Sequence, residues 1–239
     1  MRSTKDKYGK CAICSKEGKL SFEHIPPKSA FNKYPVSIKN HEHLDESNSR
    51  LFGKAFKSPR GFGRFTLCEL CNNNTGSWYG KYYANFAYQS LKFLKNSKGN
   101  YLEGVYEIKP LRVIKQILSM FMSADTTGHL RSNNQLVSFI LNKNKIGLPD
   151  DYKIFLYSTH SNNYRMMGYQ IVSVGGVINK WSEINFPPFG FLLCENSGPA
   201  HQDMVDITDF SKYKFDQEKK IIIETVILKI KDAWIGKYD

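Results

Sequence analysis

The sequence predicts an α+β fold on three observations. Apolar side chains recur at helical spacing from Trp78 and again from Pro110; alternating apolar stretches bounded by Gly and Pro follow Pro149; and two C-x-x-C pairs, Cys11/Cys14 and Cys68/Cys71, bracket a segment with little periodicity. The expected division is an N-terminal unit, residues 1–99, organised by the cysteines, and a mixed helix and antiparallel-sheet unit, residues 100–239.

Each element follows from local pattern. After Cys11-Ala-Ile-Cys14 and a turn at Gly18, Leu20-Ser-Phe22-Glu23-His24 alternates as a short strand, and Ile25-Pro26-Pro27 stops it because proline cannot donate a ladder hydrogen bond. Residues 28–62 read as a long loop, which in a compact domain is usually functional. Gly63–Leu67 forms a second strand running into Cys68-Glu-Leu-Cys71. A helix is expected to begin within Asn72-Asn73-Asn74-Thr75, whose side chains suit capping, and to end at Lys98-Gly99-Asn100. Its rows Trp78, Tyr82, Phe86 and Tyr79, Tyr83, Ala87, Leu91, Leu94 are read as core rather than as base-stacking platforms. Pro110 opens a helix carrying Leu111, Ile114, Ile117, Leu118, Phe121 and Met122, and another is expected over Ser132–Lys143. Strands are expected at Ile154–Tyr157, Gly168–Val174, Phe189–Leu193 and Ile221–Ile230, with turns at Glu183–Gly190 and Glu195–Pro199.

Composition narrows the classes. Hydrophobic residues at 41% with 23% charged are ordinary globular usage, so the chain folds. No apolar run approaches the roughly 20 residues of a bilayer span and Met1–Lys10 is charged, so a cytoplasmic protein without membrane contact is expected. The net charge of +12 is unevenly placed: residues 1–99 hold 18 Lys and Arg against 7 Asp and Glu, residues 100–239 hold 16 against 15. A basic N-terminal half favours a polyanion, because each neutralised phosphate releases counterions.

In a reducing compartment, paired cysteines at two-residue gaps point to metal rather than disulfides, and four thiolates suit tetrahedral zinc. With 53 residues between Cys14 and Cys68, the ion would close a long loop. The fifth cysteine, Cys194, lies alone in an apolar stretch.

Between the pairs stands Glu23-His24-Ile25-Pro26-Pro27, and Asn72-Asn73-Asn74-Thr75-Gly76 follows the second. Over residues 11 to 80 this series resembles the zinc-containing branch of the HNH endonucleases. The resemblance implies a ββα-metal core with a four-cysteine zinc knuckle, in which His24 is the general base, Glu23 holds a catalytic Mg2+ or Mn2+, and Asn72, with Asn73 as substitute, completes the coordination. The chemistry is apt: neutral imidazole accepts a proton near neutral pH, and carboxylate and amide oxygens suit hard cations. Three positions depart from the family pattern. Glu23 replaces the commoner Asp, Asn replaces a final His, and Leu51–Thr66 lacks the loop Asn that orients the histidine, leaving Asn48 or Asn40.

Arg60 and Arg64 are candidates for a neighbouring phosphate. His41 and His43, near Glu42, Asp45 and Glu46, are read as surface loop residues, and His160 and His201 receive no role. The expected function is cleavage of nucleic-acid phosphodiesters, DNA by preference. Two alternatives stand beside it: a zinc-stabilised binding module without turnover, and a nuclease subunit controlled by a protein partner through residues 100–239.

Overall fold

The computed structural model describes residues 7–44, 47–161, 163–174, 176–198 and 202–229. The chain opens with β1 (Lys7–Lys10) and β2 (Glu17–His24), an antiparallel pair joined through the first cysteine turn. Within the long segment that follows lie a small ribbon, β3 (Val36–Ile38) paired with β4 (Phe56–Ser58), and one helical turn, α1 (His41–Leu44). Then β5 (Gly63–Cys68) returns antiparallel to β2, with a bulge between Ser21 and Phe22 and His24 opposite Gly63. A Cβ at Gly63 would strike the Glu23 carbonyl and the Phe22 ring, so only glycine closes the hairpin there.

The helix after the second cysteine pair starts earlier than expected. It runs as α2 (Glu69–Thr75), a π turn (Gly76–Gly80) and α3 (Lys81–Asn96), with Cys68 as its extended N-cap and no side-chain cap. The C-x-x-C pair is itself the first turn, and Asn72–Asn74 lie inside the helix instead of before it. Positions three apart share a helix face, which brings both sulfurs to one side. Of the two helical rows, Tyr79, Tyr83, Phe86 and Ala87 are buried, and Trp78, Tyr82, Leu91 and Leu94 are half-buried.

Beyond it, β6 (Tyr101–Ile108) lies against α3 and pairs with the last strand. Every residue of α4 (Pro110–Ala124) is buried, including its polar ones. Arg112 pairs with Asp216 and sits over the rings of Tyr82 and Phe215, while Lys115 Nζ donates to the carbonyls of Asn142 (2.7 Å) and Lys143 (3.1 Å). Burial pulls the Lys115 amine down to about 7. The helix expected over Ser132–Lys143 divides into α5 (His129–Ser132) and α6 (Asn134–Leu141), because the Asn133 side chain accepts from Gln135 N and Leu136 N and restarts it.

A five-stranded antiparallel sheet follows, built from β7 (Tyr152–Ser158), β8 (Arg165–Val174), β9 (Val177–Phe186), β10 (Phe189–Glu195) and β11 (Val205–Asp206) in the order β11-β7-β10-β9-β8. A 3-10 turn (Thr208–Lys212) leads to β12 (Lys219–Val226), the partner of β6. Ile221–Val226 is strand as expected; Ile230 lies outside the described residues. Glu183–Phe186 belongs to β9 rather than to a turn: Glu183, wholly buried, is paired with Arg165 at 2.7 Å and accepts from the Tyr157 hydroxyl, so a carboxylate sits inside a strand at a neutralised position.

The expected boundary at 99/100 falls in the turn between α3 and β6. One continuous set of buried side chains runs from Cys11 through α3 and α4 to Phe215 and Ile223, so the cysteine-bearing hairpin is seated on the same core as the sheet. Among the described residues no helix is long and apolar enough to cross a membrane.

Candidate functional site

The four paired cysteines converge. Their sulfurs all lie within 4.8 Å of one another, and Cys14 Sγ is 3.7 Å from Cys68 Sγ. Tetrahedral zinc with Zn–S of about 2.3 Å sets its sulfurs about 3.8 Å apart, so the donor set fits that ion in both type and spacing. The backbone prepares the knuckle: Cys11 N donates to Lys16 O, Ser15 N to Cys11 O, and Ala12 N to Thr66 O, the last tying the first cysteine turn to β5. Ser15 takes a left-handed φ of 61° to close the turn, a conformation that favours glycine. Cys11 and Cys71 are buried and Cys14 and Cys68 half-buried. Hydrogen bonding from Cys71 holds the Cys11 thiol well below the usual thiol range, and the same contact pushes Cys71 up. Such crowding of thiols is what a divalent cation relieves.

The hairpin mouth lies at the other end of β2. His24 Nε2 is 2.9 Å from the Arg60 carbonyl oxygen. A carbonyl only accepts, so Nε2 carries the proton and Nδ1 the lone pair. Partial burial lowers the imidazole below its ordinary range against the opposing effect of the Arg60 carbonyl, and the charges of Lys28 and Arg60 add to the lowering, so the neutral ring is favoured at pH 7. The ring stacks edge-on to Phe22 at 5.0 Å, which puts Phe22 and His24 on one face of β2 and Glu23 on the other. Glu23 is 7% exposed, and burial pushes its carboxyl up to about 8.

Asn72 is half-buried on α2; its Nδ2 donates to Ser21 Oγ (2.9 Å) and the Phe22 carbonyl (3.3 Å), pinning the helix to β2 one residue from Glu23. Its neighbour Asn73 is exposed. Arg60 and Arg64 both expose their side chains, Arg64 opposite Glu23 in the β2–β5 register. Apart from the cysteines, no three His, Cys, Asp or Glu side chains converge among the described residues.

No family model, no curated protein and no solved structure matches this chain. Local geometry therefore carries the functional reading.

Sequence reasoning missed Asn32. It is buried, its Nδ2 donates to the carbonyls of Pro26 (2.7 Å) and Phe62 (2.6 Å), and its Oδ1 accepts from Phe62 N (2.6 Å). It thus locks the loop after His24 to the loop before β5. Neither Asn40 nor Asn48 does this: Asn40 bonds His43, and Asn48 is exposed. The only sequence signal is an amide among apolar and basic neighbours in an aperiodic loop, too weak to single out.

The remaining candidates resolve simply. His43 is buried against Phe56 and Asn40, so it is a packed residue of the loop rather than a surface one. Asp45, Glu46, His201 and the side chains of His41 and Glu42 lie outside the described residues. His160 is exposed, and Cys194 is buried with its thiol pushed up to about 12, which makes it inert.

Proposed function

We propose that the chain is a zinc-stabilised endonuclease of the HNH type that hydrolyses DNA phosphodiester bonds, with His24 as the general base. The observation that carries this reading is the imidazole at the hairpin mouth. Its proton is fixed toward the Arg60 carbonyl, its other nitrogen holds a lone pair, and its neutral form is favoured at pH 7. The cysteine cluster supports the reading by clamping the start of β2 and the start of α2 to one point, which keeps the ββα unit in register around His24.

Glu23 and Asn72 offer hard oxygen donors of the kind that Mg2+ or Mn2+ takes, and a buried carboxyl raised to about 8 is a group that a cation would return to its charged form. When bound, the ion supplies Lewis-acid stabilisation of charge on the phosphate and the departing oxygen. The protein's own part is to position the imidazole, to take the proton of the attacking water at Nδ1, and to hold the strand end with Asn32.

The test is direct. Purified protein with Mg2+ or Mn2+ is expected to cut or nick DNA, and His24→Ala to lose cutting while keeping its zinc. Equal cutting by the two proteins refutes the role of His24. Tight, salt-sensitive binding with no product under any divalent ion supports instead a nucleic-acid-binding module.

A further inference from the structure

We infer that the open groove between the loop after His24 and the π turn is a track for the phosphate backbone of a DNA strand, gripped by Lys28, Lys33 and Lys81. The inference rests on the nuclease reading for the identity of the polyanion and extends it by naming how the substrate is held. The groove has a volume of about 580 Å3; those three lysines and Ser29 line it, and no acidic side chain does. None of the three lysines has an ion pair among the described residues. Two of them instead sit over aromatic rings, Lys33 over Tyr34 at 5.3 Å and Lys81 over Tyr82 at 5.0 Å. A concave surface of one sign focuses potential on a polyanion.

The groove's floor gives the second observation. Gly76 and Gly80 both line it, four positions apart and therefore on one side of the helix. Their backbones are ordinary right-handed helix, at φ −60°, ψ −45° and φ −55°, ψ −44°. Packing does not call for glycine either: a Cβ at Gly76 would meet nothing within 4 Å, and one at Gly80 only the Gln116 side chain at 3.8 Å. Glycine within a helix lowers stability relative to alanine, so Gly76, exposed and with nothing within 4 Å of its Cβ, costs the fold something and returns it no contact. Gly76 leaves bare backbone facing the groove, where a sugar-phosphate chain can approach closely, while Gly80 is buried at the groove's inner end. The π turn that spans them widens the helix at the same place, and single π turns gather at functional sites. Lys28 stands four residues past His24, so the track starts beside the candidate base.

Fluorescence anisotropy of a labelled mixed-sequence DNA duplex, with full-length His24→Ala protein and a salt titration, tests this. Replacing Lys28, Lys33 and Lys81 together by Gln is expected to weaken binding at least ~10-fold at moderate salt and to flatten the slope of log K against log salt by about 2–3. The same change at Lys153, Lys219 and Lys229 is expected to flatten it by less than half as much. Gly76→Ala is expected to keep or raise the Tm, and Gly76→Leu, at an exposed position with nothing within 4 Å of its Cβ, to fold while binding at least ~10-fold more weakly. Equal losses from the two lysine sets, or unimpaired binding by a folded Gly76→Leu protein, overturn the groove. The two readings separate cleanly: groove-dependent binding without cleavage by the parent protein sinks the nuclease assignment and leaves the track standing. Cleavage with groove-independent binding does the reverse.

Discussion

Asn32 and Phe62, thirty residues apart, exchange two hydrogen bonds of 2.6 Å, one in each direction. The third bond of the Asn32 amide, to the Pro26 carbonyl, makes this single side chain the bridge between the two loops that flank the candidate base. Beside it, Gly61 adopts φ +87°, a left-handed turn, and a Cβ there would strike the Asn32 carbonyl and side chain. Removing the amide strands buried backbone groups, which costs about 1–3 kcal/mol each when left unpaired. Asn32→Ala is therefore expected to lower stability by about 2–4 kcal/mol in chemical denaturation. Asn32→Asp, which can accept but not donate, is expected to be no better. If cleavage by the folded fraction of Asn32→Ala equals that of the parent, the amide supports the fold alone and does not position His24.

The imidazole of His24 is lowered from its ordinary range, first by burial. The acid limb of the cleavage rate is then expected below the usual histidine midpoint, with activity flat through pH 7 and falling about tenfold per pH unit once the ring protonates. For stability the sign is the opposite of a salt-bridged histidine. The unfolded ring binds its proton at higher pH, so folding opposes protonation, and stability rises with pH across the window between the lowered and the ordinary value. An NMR titration of His24 checks both: a midpoint at or above the ordinary histidine value removes the basis for a neutral base held by desolvation.

Glu23 makes the complementary case. Its carboxyl is raised to about 8 by burial from a reference of 4.5. The folded protein holds this proton more tightly than the unfolded chain does. Glu23 therefore contributes stability that is fully present below about 4.5 and is lost as pH rises through about 8. Glu23→Gln keeps the shape and removes the titration, so it is expected to gain stability relative to the parent in metal-free buffer as pH rises, by up to a few kcal/mol. Added Mg2+ or Mn2+ is expected to raise the parent's Tm most at high pH and to leave Glu23→Gln unmoved. A divalent shift of equal size in both proteins places the ion elsewhere.

Strong local chemistry was legible in the sequence, and solitary polar groups were not. Two C-x-x-C pairs, the Pro stop after His24, and Pro110 ahead of an apolar helical pattern each have a covalent or steric cause that survives any tertiary context, and each is found where its pattern points. The helix start was misplaced because Asn72–Asn74 look like caps; the second C-x-x-C segment itself forms the first helical turn, leaving Asn72 free to bond across to β2. Strand β6 escaped because Gly104 stands at a buried position and Tyr101 and Val105 at exposed ones, which blurs an alternation that its burial nevertheless follows strictly. Gly104 has no side chain because the Phe93 ring fills that space. In β9, Glu183 reads as polar punctuation until its partner Arg165, eighteen residues earlier, is known. Asn32 is the hardest of these, since its role exists only when two distant loops meet.

The cysteines decide whether any of this geometry persists. The hairpin that carries His24 is formed by strands on either side of the segment 25–62, which holds only a two-stranded ribbon and one helical turn of its own among the described residues. Closing so long a loop is entropically unfavourable, and a metal joining Cys11 and Cys14 to Cys68 and Cys71 would offset that cost by binding only the folded arrangement. The purified chain is expected to carry about one zinc per chain. Replacing Cys11 or Cys71, the buried pair, by Ser is expected to abolish stoichiometric zinc and to destabilise by more than about 3 kcal/mol, with the hairpin lost first. Hydrogen exchange separates the parts: amides of β2 and β5 are expected to lose protection on chelation while those of α4, buried along its whole length, keep theirs. A chelated protein whose β2 amides remain protected would show that the hairpin stands on the core alone, and that the metal is not what holds His24 in place.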